Sequence, residues 1–402
     1  MSTLTHAEPA ALHDASRARI VSGRVALLFG CSLGALTSFY LMLSVTPLFA
    51  TAAGAGSAGA GIVTGVLMLA GVAAEFAAPS LMNRFGNAAV LAVGLALLGA
   101  PTLLLLASGQ LAMIVAVSLV RGLGFGLLVV VTGALVVSLV PRERRGVAVG
   151  LSGVVSCVPG VVALPSGVWL AGHLGYPLVI AVAGLSALAP LAAVPWLAGA
   201  AGHRQAAAGP GAEPPIRLLA GLRRGEQLRP ALAFAATTVS AGVVVAFVPL
   251  ATGASGNVAA AGLFVQAITA TIGRWWAGRQ GDRHGPGRLL IPGLVLAAGG
   301  MAGLIWATNL VTVTVTMAAF GTGFGICQTS TLTQMMDRVP ASGYGMVSAL
   351  WNMAYDLGYG AGPAAFGLFV IHTGYPAAFA VTAVVILIAL APAWRDRTTR
   401  LG

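Results

Sequence analysis

Glu75 and Asp356 are carboxylates set inside long runs of apolar residues, in the settings Ala73-Ala74-Glu75-Phe76 and Ala354-Tyr355-Asp356-Leu357. Hydrocarbon cannot solvate charge, so an ionisable group in such a run is retained for a reason, and each is a functional candidate by default. A carboxyl there is neutral when dry and charged when hydrated or paired, which is the chemistry of taking up and releasing a proton. The other acids, Glu8, Asp14, Glu143, Glu213, Glu226, Asp282, Asp337 and Asp396, fall in tails, loops or at the ends of runs. Two arginines, Arg121 and Arg274, share the apolar setting. The chain has no His/Cys/acid group at metal-ligand spacing and no phosphate-cradling loop. Gly122-x-Gly124-x-Gly126 lacks the preceding strand of a nucleotide fingerprint and reads as close helix packing. The sequence therefore points away from an enzyme, a metal centre or a cofactor.

The elements that position these residues follow from composition. Of 402 residues, 21 are basic and 10 acidic, 8% in all, against roughly 25% in a soluble domain. The hydrophobic fraction is 58% and the mean hydropathy +0.93, which excludes a water-soluble globular protein. Apolar runs of a length that crosses a hydrocarbon core as helix, bounded by Pro, Gly and polar breaks, fall near 25–49, 59–82, 88–107, 111–138, 146–171, 176–198, 230–251, 258–279, 288–307, 310–336, 343–371 and 375–393. The fold class is an all-α polytopic membrane protein with twelve transmembrane helices. Its expected layout is a tail (1–24), a six-helix bundle (25–198), an Arg-rich linker (199–229), a second six-helix bundle (230–394) and a short tail (395–402). Ala50-Thr51-Ala52 mimics a leader cleavage site, but the run before it is too long for one, so the first helix reads as uncleaved. Cys31, Cys157 and Cys327 sit at unrelated spacings within apolar runs and read as small core residues.

Every basic residue is Arg, and the arginines are one-sided. The connections near 50–58, 108–110, 172–175, 252–257, 308–309 and 372–374 hold none. Arg84, Arg142, Arg144, Arg145, the linker cluster, Arg279, Arg283, Arg288, Arg338, Arg395, Arg397 and Arg400 fall on the other side. By the positive-inside rule both termini and the linker are cytoplasmic.

The two halves repeat at a constant offset of 199 residues. Asn83-Arg84-Phe85-Gly86 stands opposite Asp282-Arg283-His284-Gly285, and Gly122-Leu123-Gly124-Phe125-Gly126 opposite Gly321-Thr322-Gly323-Phe324-Gly325. His173-Leu174-Gly175-Tyr176-Pro177 stands opposite His372-Thr373-Gly374-Tyr375-Pro376. A gapless offset over about a hundred residues marks parallel repeats related by an axis along the membrane normal.

Two six-helix halves, an Arg-rich central loop and the motif Gly278-x-x-x-Asp282-Arg283-x-Gly285 resemble the major facilitator superfamily. The first-half motif copy is degenerate, with Pro79 and Asn83 beside the retained Arg84 and Gly86, and Arg121-Gly122-x-Gly124 matches the family's fourth-helix pattern. The Gly-x-x-x-Gly-Pro signature of drug/proton antiporters is incomplete in the fifth span, at Pro159-Gly160, but complete in the eleventh, at Gly358-x-x-x-Gly362-Pro363. The resemblance implies transport by alternating access and places the second and eleventh spans together where the halves meet.

With no ATP-binding domain in the chain, the expected driving force is an ion or substrate gradient. The leading expectation is a proton-coupled exporter (antiporter) of small organic molecules in a bacterial cytoplasmic, or inner, membrane; the alternative is a proton-coupled importer of a sugar, carboxylate or other metabolite. Expected partners are the substrate, protons and the lipid bilayer, not nucleic acid, with the chain working as a monomer. Asp356 lies about 20 Å deep and Glu75 about 13 Å from the cytoplasmic face at 1.5 Å per residue. Asp356 is either a proton- or substrate-binding carboxylate or the static partner of Arg121. Glu75 is either a latch between halves or a second titrating group. Arg121 either orients an anionic substrate or tunes a carboxylate. Phe39, Tyr40, Gln266, Gln328, Trp351, Asn352 and Tyr355 are candidate cavity residues, with Gln334 beside them. Arg84, Gly278, Asp282 and Arg283, with Arg274 as the repeat partner of Glu75, are candidate conformational residues.

Overall fold

The computed structural model describes residues 22–140, 145–201, 225–252, 256–307, 309–340 and 343–398. Arg17, Arg19, Arg142, Arg144, the linker between 202 and 224, and Arg400 lie outside the described residues. The described residues are helical, with no strand among them. The first half holds α1 (Gly23–Ala50), α2 (Gly56–Phe85), α3 (Asn87–Leu104), α4 (Leu111–Leu139) and α5 (Arg145–Leu174). It ends in α6, which runs Tyr176–Leu188, tightens to a 3-10 turn at Ala189–Ala193 and resumes as Val194–Ala201. Pro190 at the head of that turn lacks the N–H that would continue the α ladder. The second half holds α7 (Gly225–Ala251), α8 (Gly256–His284), α9 (Gly287–Gly303) and α10 (Leu310–Met336). The helix Tyr344–Ile388 then divides at Gly374 into α11 (344–373) and α12 (375–388).

Ten continuous helical stretches are long and apolar enough to cross a membrane, and two of them, of 63 and 53 residues, are doubled. A straight 63-residue helix would reach about 95 Å, three times a hydrocarbon core of about 30 Å. The chain instead reverses at Gly54 and Gly56 (φ 89° and 60°) between α1 and α2, and at Gly374 (φ 74°) between α11 and α12. Side chains disfavour that backbone region and glycine does not. The described residues thus make twelve crossings.

The repeat is visible in the packing. A methyl group on Gly122 would strike the Leu67 carbonyl, and one on Gly321 the Gln266 carbonyl. Gly126 meets Gly71 as Gly325 meets Ala270, and Gly124 meets Gly94 as Gly323 meets Gly293. Each pair of equivalents is 199 residues apart. The same holds at the turns, where Gly86 and Gly285 (φ 83° and 84°) match, as do Gly175 and Gly374 (φ 85° and 74°). Lipid tails are as apolar as leucine, so helices in a bilayer associate through such close contacts of small residues. Many large apolar side chains are exposed, among them Trp196, Trp306 and Val315, and are suited to lipid.

Two seams join the halves. At one, α2 lies on α11: Gly61 abuts Pro363 and Ala364, Gly65 and Met68 abut Gly360, and Ser57 Oγ donates to the Gly367 carbonyl at 3.1 Å. At the other, α5 meets α8, with Gly256 against Val168 and Gly172. Both sets of contacts lie toward the helix ends that carry no arginine, so the molecule is sealed on that side. The Gly-Pro signature of α11 makes both faces of the first seam. Gly358 and Gly362 admit Thr238 and Val239 of α7, while the Pro363 carbonyl and Gly367 face α2.

Candidate functional site

Between the seams, and running toward the Arg-bearing ends, is a cavity of about 660 Å³, a size that holds a small organic molecule. Helices from both halves line it, because the small residues that seal the other end leave the halves splayed here. Its walls carry Tyr40 and Phe125 from the first half and Phe324, Trp351, Tyr355 and Tyr359 from the second. Trp351 stacks on Phe234 with centroids 4.4 Å apart and donates its indole N–H to Thr331 Oγ1 at 3.2 Å. Tyr355 stacks on Tyr359 at 5.5 Å. These rings are held in place and present faces to the cavity.

Glu75 on α2 and Asp356 on α11 both line this cavity, one from each half. Two carboxylates facing one confined space repel, which favours holding a proton on one of them. Asp356 is 6% exposed. Among the described residues the ion pairs at 4 Å or less join Arg229 and Arg338 to Asp396, not any arginine to Glu75 or Asp356.

The alternative in which Asp356 is the static partner of Arg121 is not met by this geometry. Arg121 is 1% exposed and lies inside the first half. Its guanidinium donates to the Leu98 carbonyl at 2.7 Å, to the Ser38 carbonyl at 3.1 Å and to Thr102 Oγ1. Neutral acceptors from α1 and α3 hold it where no carboxylate reaches. Depth along a helix follows from residue counting but the face does not, and Arg121 faces away from the cavity.

Arg274, grouped with the conformational motif on sequence, lines the cavity instead. Its guanidinium donates to Thr271 Oγ1 at 3.3 Å, one turn back on α8. Tyr40, Gln266, Gln328, Trp351, Asn352 and Tyr355 line the cavity as well. Gln328 Oε1 is buried without a hydrogen-bond partner among the described residues. Phe39 does not reach the space: it is 4% exposed and stacks behind Phe125 at 3.7 Å. Gln334 is buried near the end of α10 and is not in the lining.

The motif residues stand apart from the cavity. Asp282 and Arg283 are exposed on the last turn of α8, and Gly285 ends that helix with φ 84°. Gly278 precedes them by a turn, with open space beside its Cα. Arg84 is exposed at the end of α2, its guanidinium 5.2 Å from the Phe85 ring. On the same face, Arg338 binds Asp396 and the Glu226 carbonyl, tying the ends of α7, α10 and the terminal turn Leu390–Thr398.

Sequence reasoning missed Cys157, which it read as core and which lines the cavity from α5. The signal was available: Cys157 is the repeat partner of Asp356, as Arg274 is of Glu75. Phe125, Phe324 and Tyr359 were also missed, because nothing in an apolar run tells a wall residue from a packed one.

No curated protein matches the chain in sequence. In fold it is similar to a bacterial homolog of the human lysosomal transporter Spinster in an inward-facing, unoccupied conformation (TM-score 0.77, 14% identity, 95% of this chain and 98% of that one). It is likewise similar to a D-xylose-proton symporter (TM-score 0.72, 17% identity, 92% and 95% covered). The nucleoside transporter NupG aligns over 92% of this chain and 99% of its own (TM-score 0.66, 14% identity). The twelve crossings, the 199-residue repeat and the central cavity are accompanied by a family-model match over residues 27–363 and a second over 231–401, and the chain belongs to the Major Facilitator Superfamily, a membrane transporter and not an enzyme.

Proposed function

We propose that this transporter exports small organic molecules by proton antiport, alternating access being achieved by rocking the two halves about the central cavity. The observation that carries this reading is the carboxyl pair Glu75–Asp356, one member from each half, facing the same cavity. Substrate in the cavity and a proton draw on the same two groups, so binding one disfavours the other, which is the linkage an exchanger needs. The Arg-bearing face is read as cytoplasmic, so the conformation described opens inward. It corresponds to the state in which the proton is released and substrate is taken up in a bacterial inner membrane.

The test uses vesicles containing the purified protein and an imposed pH gradient. Asp356→Asn and Glu75→Gln each fix one carboxyl in a form that cannot ionise. Each is expected to abolish gradient-driven accumulation while leaving insertion and gradient-independent exchange intact. The double substitution is expected to be no worse than either single one, because the two groups act as a unit. Accumulation by both single variants at the native level would remove the pair from the coupling.

A further inference from the structure

The 199-residue repeat places opposite chemistry at equivalent positions of the cavity. Glu75 and Arg274 are repeat partners, as are Cys157 and Asp356, and all four line the same space. The pseudo-twofold that carries the α2–α11 seam onto the α8–α5 seam therefore carries the carboxyl pair onto Arg274 and Cys157. One wall holds two carboxyls. The opposite wall holds a guanidinium whose described hydrogen bond goes to Thr271 and which has no carboxylate within ion-pair distance among the described residues. Tyr40 of α1 lines the same space, its ring beside Gly160 of α5. Near Arg274 on α10, Gln328 Oε1 is a buried acceptor with nothing donating to it among the described residues.

We propose that the substrate is a zwitterion, a small molecule carrying an acidic group for Arg274 and an amine for the Glu75–Asp356 pair, with an apolar or aromatic body against the rings between. Its amine takes the place of a proton at the carboxyl pair and its acid neutralises the guanidinium. A plain organic cation would leave Arg274 uncompensated. A plain organic anion would favour protonation of the carboxyls, and so would travel with the proton, not against it. This inference rests on the cavity being the transport site, and it specifies what that site takes.

Two measurements on the full-length protein in detergent, without any gradient, test it. The first reads the cavity's polarity. In N352C, the native Cys157 and the new thiol beside Asp356 report on opposite walls of one molecule. Both are reacted in parallel with an anionic (sulfonatoethyl) and a cationic (trimethylammonioethyl) methanethiosulfonate, each thiol forming a mixed disulfide and releasing methanesulfinate, and peptide mass spectrometry resolves the two sites. The anionic-to-cationic rate ratio at Cys157 is expected to exceed that at the new thiol by on the order of 10-fold, and R274Q is expected to remove the difference. Equal ratios at the two thiols, or the reverse order, would overturn the proposal even if R274Q does not fold. The second reads the ligand. Protection of Cys157 from N-ethylmaleimide is compared among phenylalanine, tyrosine and tryptophan, their decarboxylated amines and their deaminated acids. The zwitterions are expected to protect at concentrations at least about 10-fold below either counterpart. Equal protection by amines or acids, or no protection by any zwitterion, would sink it. Loss of proton coupling in vesicles, with zwitterion protection retained, would instead count against antiport alone.

Discussion

Gly61→Ala offers a test of how the sealed side opens. An added methyl would lie against the Pro363 carbonyl, 3.0 Å from its carbon and 3.2 Å from Ala364 Cα, distances that side-chain carbons avoid. The obstructing atoms are backbone within a helix, so they cannot rotate aside as a side chain would. Overpacking of this kind costs about 1–3 kcal/mol. The clash exists only while α2 lies on α11, and outward opening separates those helices, so the substitution penalises the sealed state alone. A penalty of that size shifts the outward-to-inward ratio by about 5- to 150-fold. Gly242→Ala on α7 is the matched control. Its methyl would strike the Tyr359 carbonyl and come within 2.9 Å of Pro363 Cδ, but both partners move with α7 inside one half. It should lower thermal stability in either state and leave the ratio alone. Spin labels at the exposed positions Ala53 and Thr373, on the sealed ends of α1 and α11, report the two populations by double electron–electron resonance. An unchanged distance distribution in G61A, or an equal shift in G242A, would refute the seam as the moving contact.

Three further outcomes follow from the same packing. Arg121→Ala removes four donated hydrogen bonds from a fully buried guanidinium and should cost roughly 3–5 kcal/mol; the midpoint of thermal unfolding should fall by about 5 °C, and an unchanged midpoint would mean the network is not structural. Asp396→Asn leaves Arg338 and Arg229 without their carboxylate and should speed amide exchange at 225–229 and 337–340, with the α2–α11 seam unaffected. Exchange of one proton for one zwitterion moves a single charge per cycle, worth about 2.3 kcal/mol per 100 mV, so a valinomycin-set potential of 100 mV should change accumulation of a transported zwitterion about 50-fold. No dependence on potential would refute one-for-one exchange of a proton for a zwitterion.

The fold was readable because its determinants are one-dimensional. Apolar run length fixes the crossings, arginine placement fixes a common face, and a constant offset fixes the repeat; each helix of the structure lies within a few residues of its expected span. The site was only half readable. Asp356 and Glu75 stand out because an acid in an apolar run has no bland purpose, and the structure brings them together. Arg121 stands out for the same reason, yet it faces Ser38, Leu98 and Thr102. In a chain this apolar, the helical face toward the cavity and the face toward a neighbour have the same composition. Phe39 and Phe125 show the limit: both are aromatic and they stack on each other, but only Phe125 reaches the cavity.

What distinguishes the two halves is therefore charge and not backbone. Glycine contacts, positive-φ turns and helix packing repeat at 199 residues, so the scaffold alone would be indifferent to which way the halves rock. Two departures from the repeat fall on residues that face the cavity, Glu75 against Arg274 and Cys157 against Asp356, while Arg121 against Phe320 and Asn83 against Asp282 lie away from it. A symmetric frame supplies two states of comparable packing energy, which a transporter needs if each is to be visited. Only groups that bind a proton or a substrate differently in the two states can then couple their movement, since a ligand shifts an equilibrium by no more than its differential affinity. Arg274→Glu would make the repeat charge-symmetric by giving both walls an acid at this position. It should leave the fold and both conformations accessible, as the spin-label distances would show. It should also abolish zwitterion protection of Cys157, while a simple amine gains what the zwitterion loses. Retained preference for the zwitterion in that variant would mean that the broken symmetry does not set the substrate.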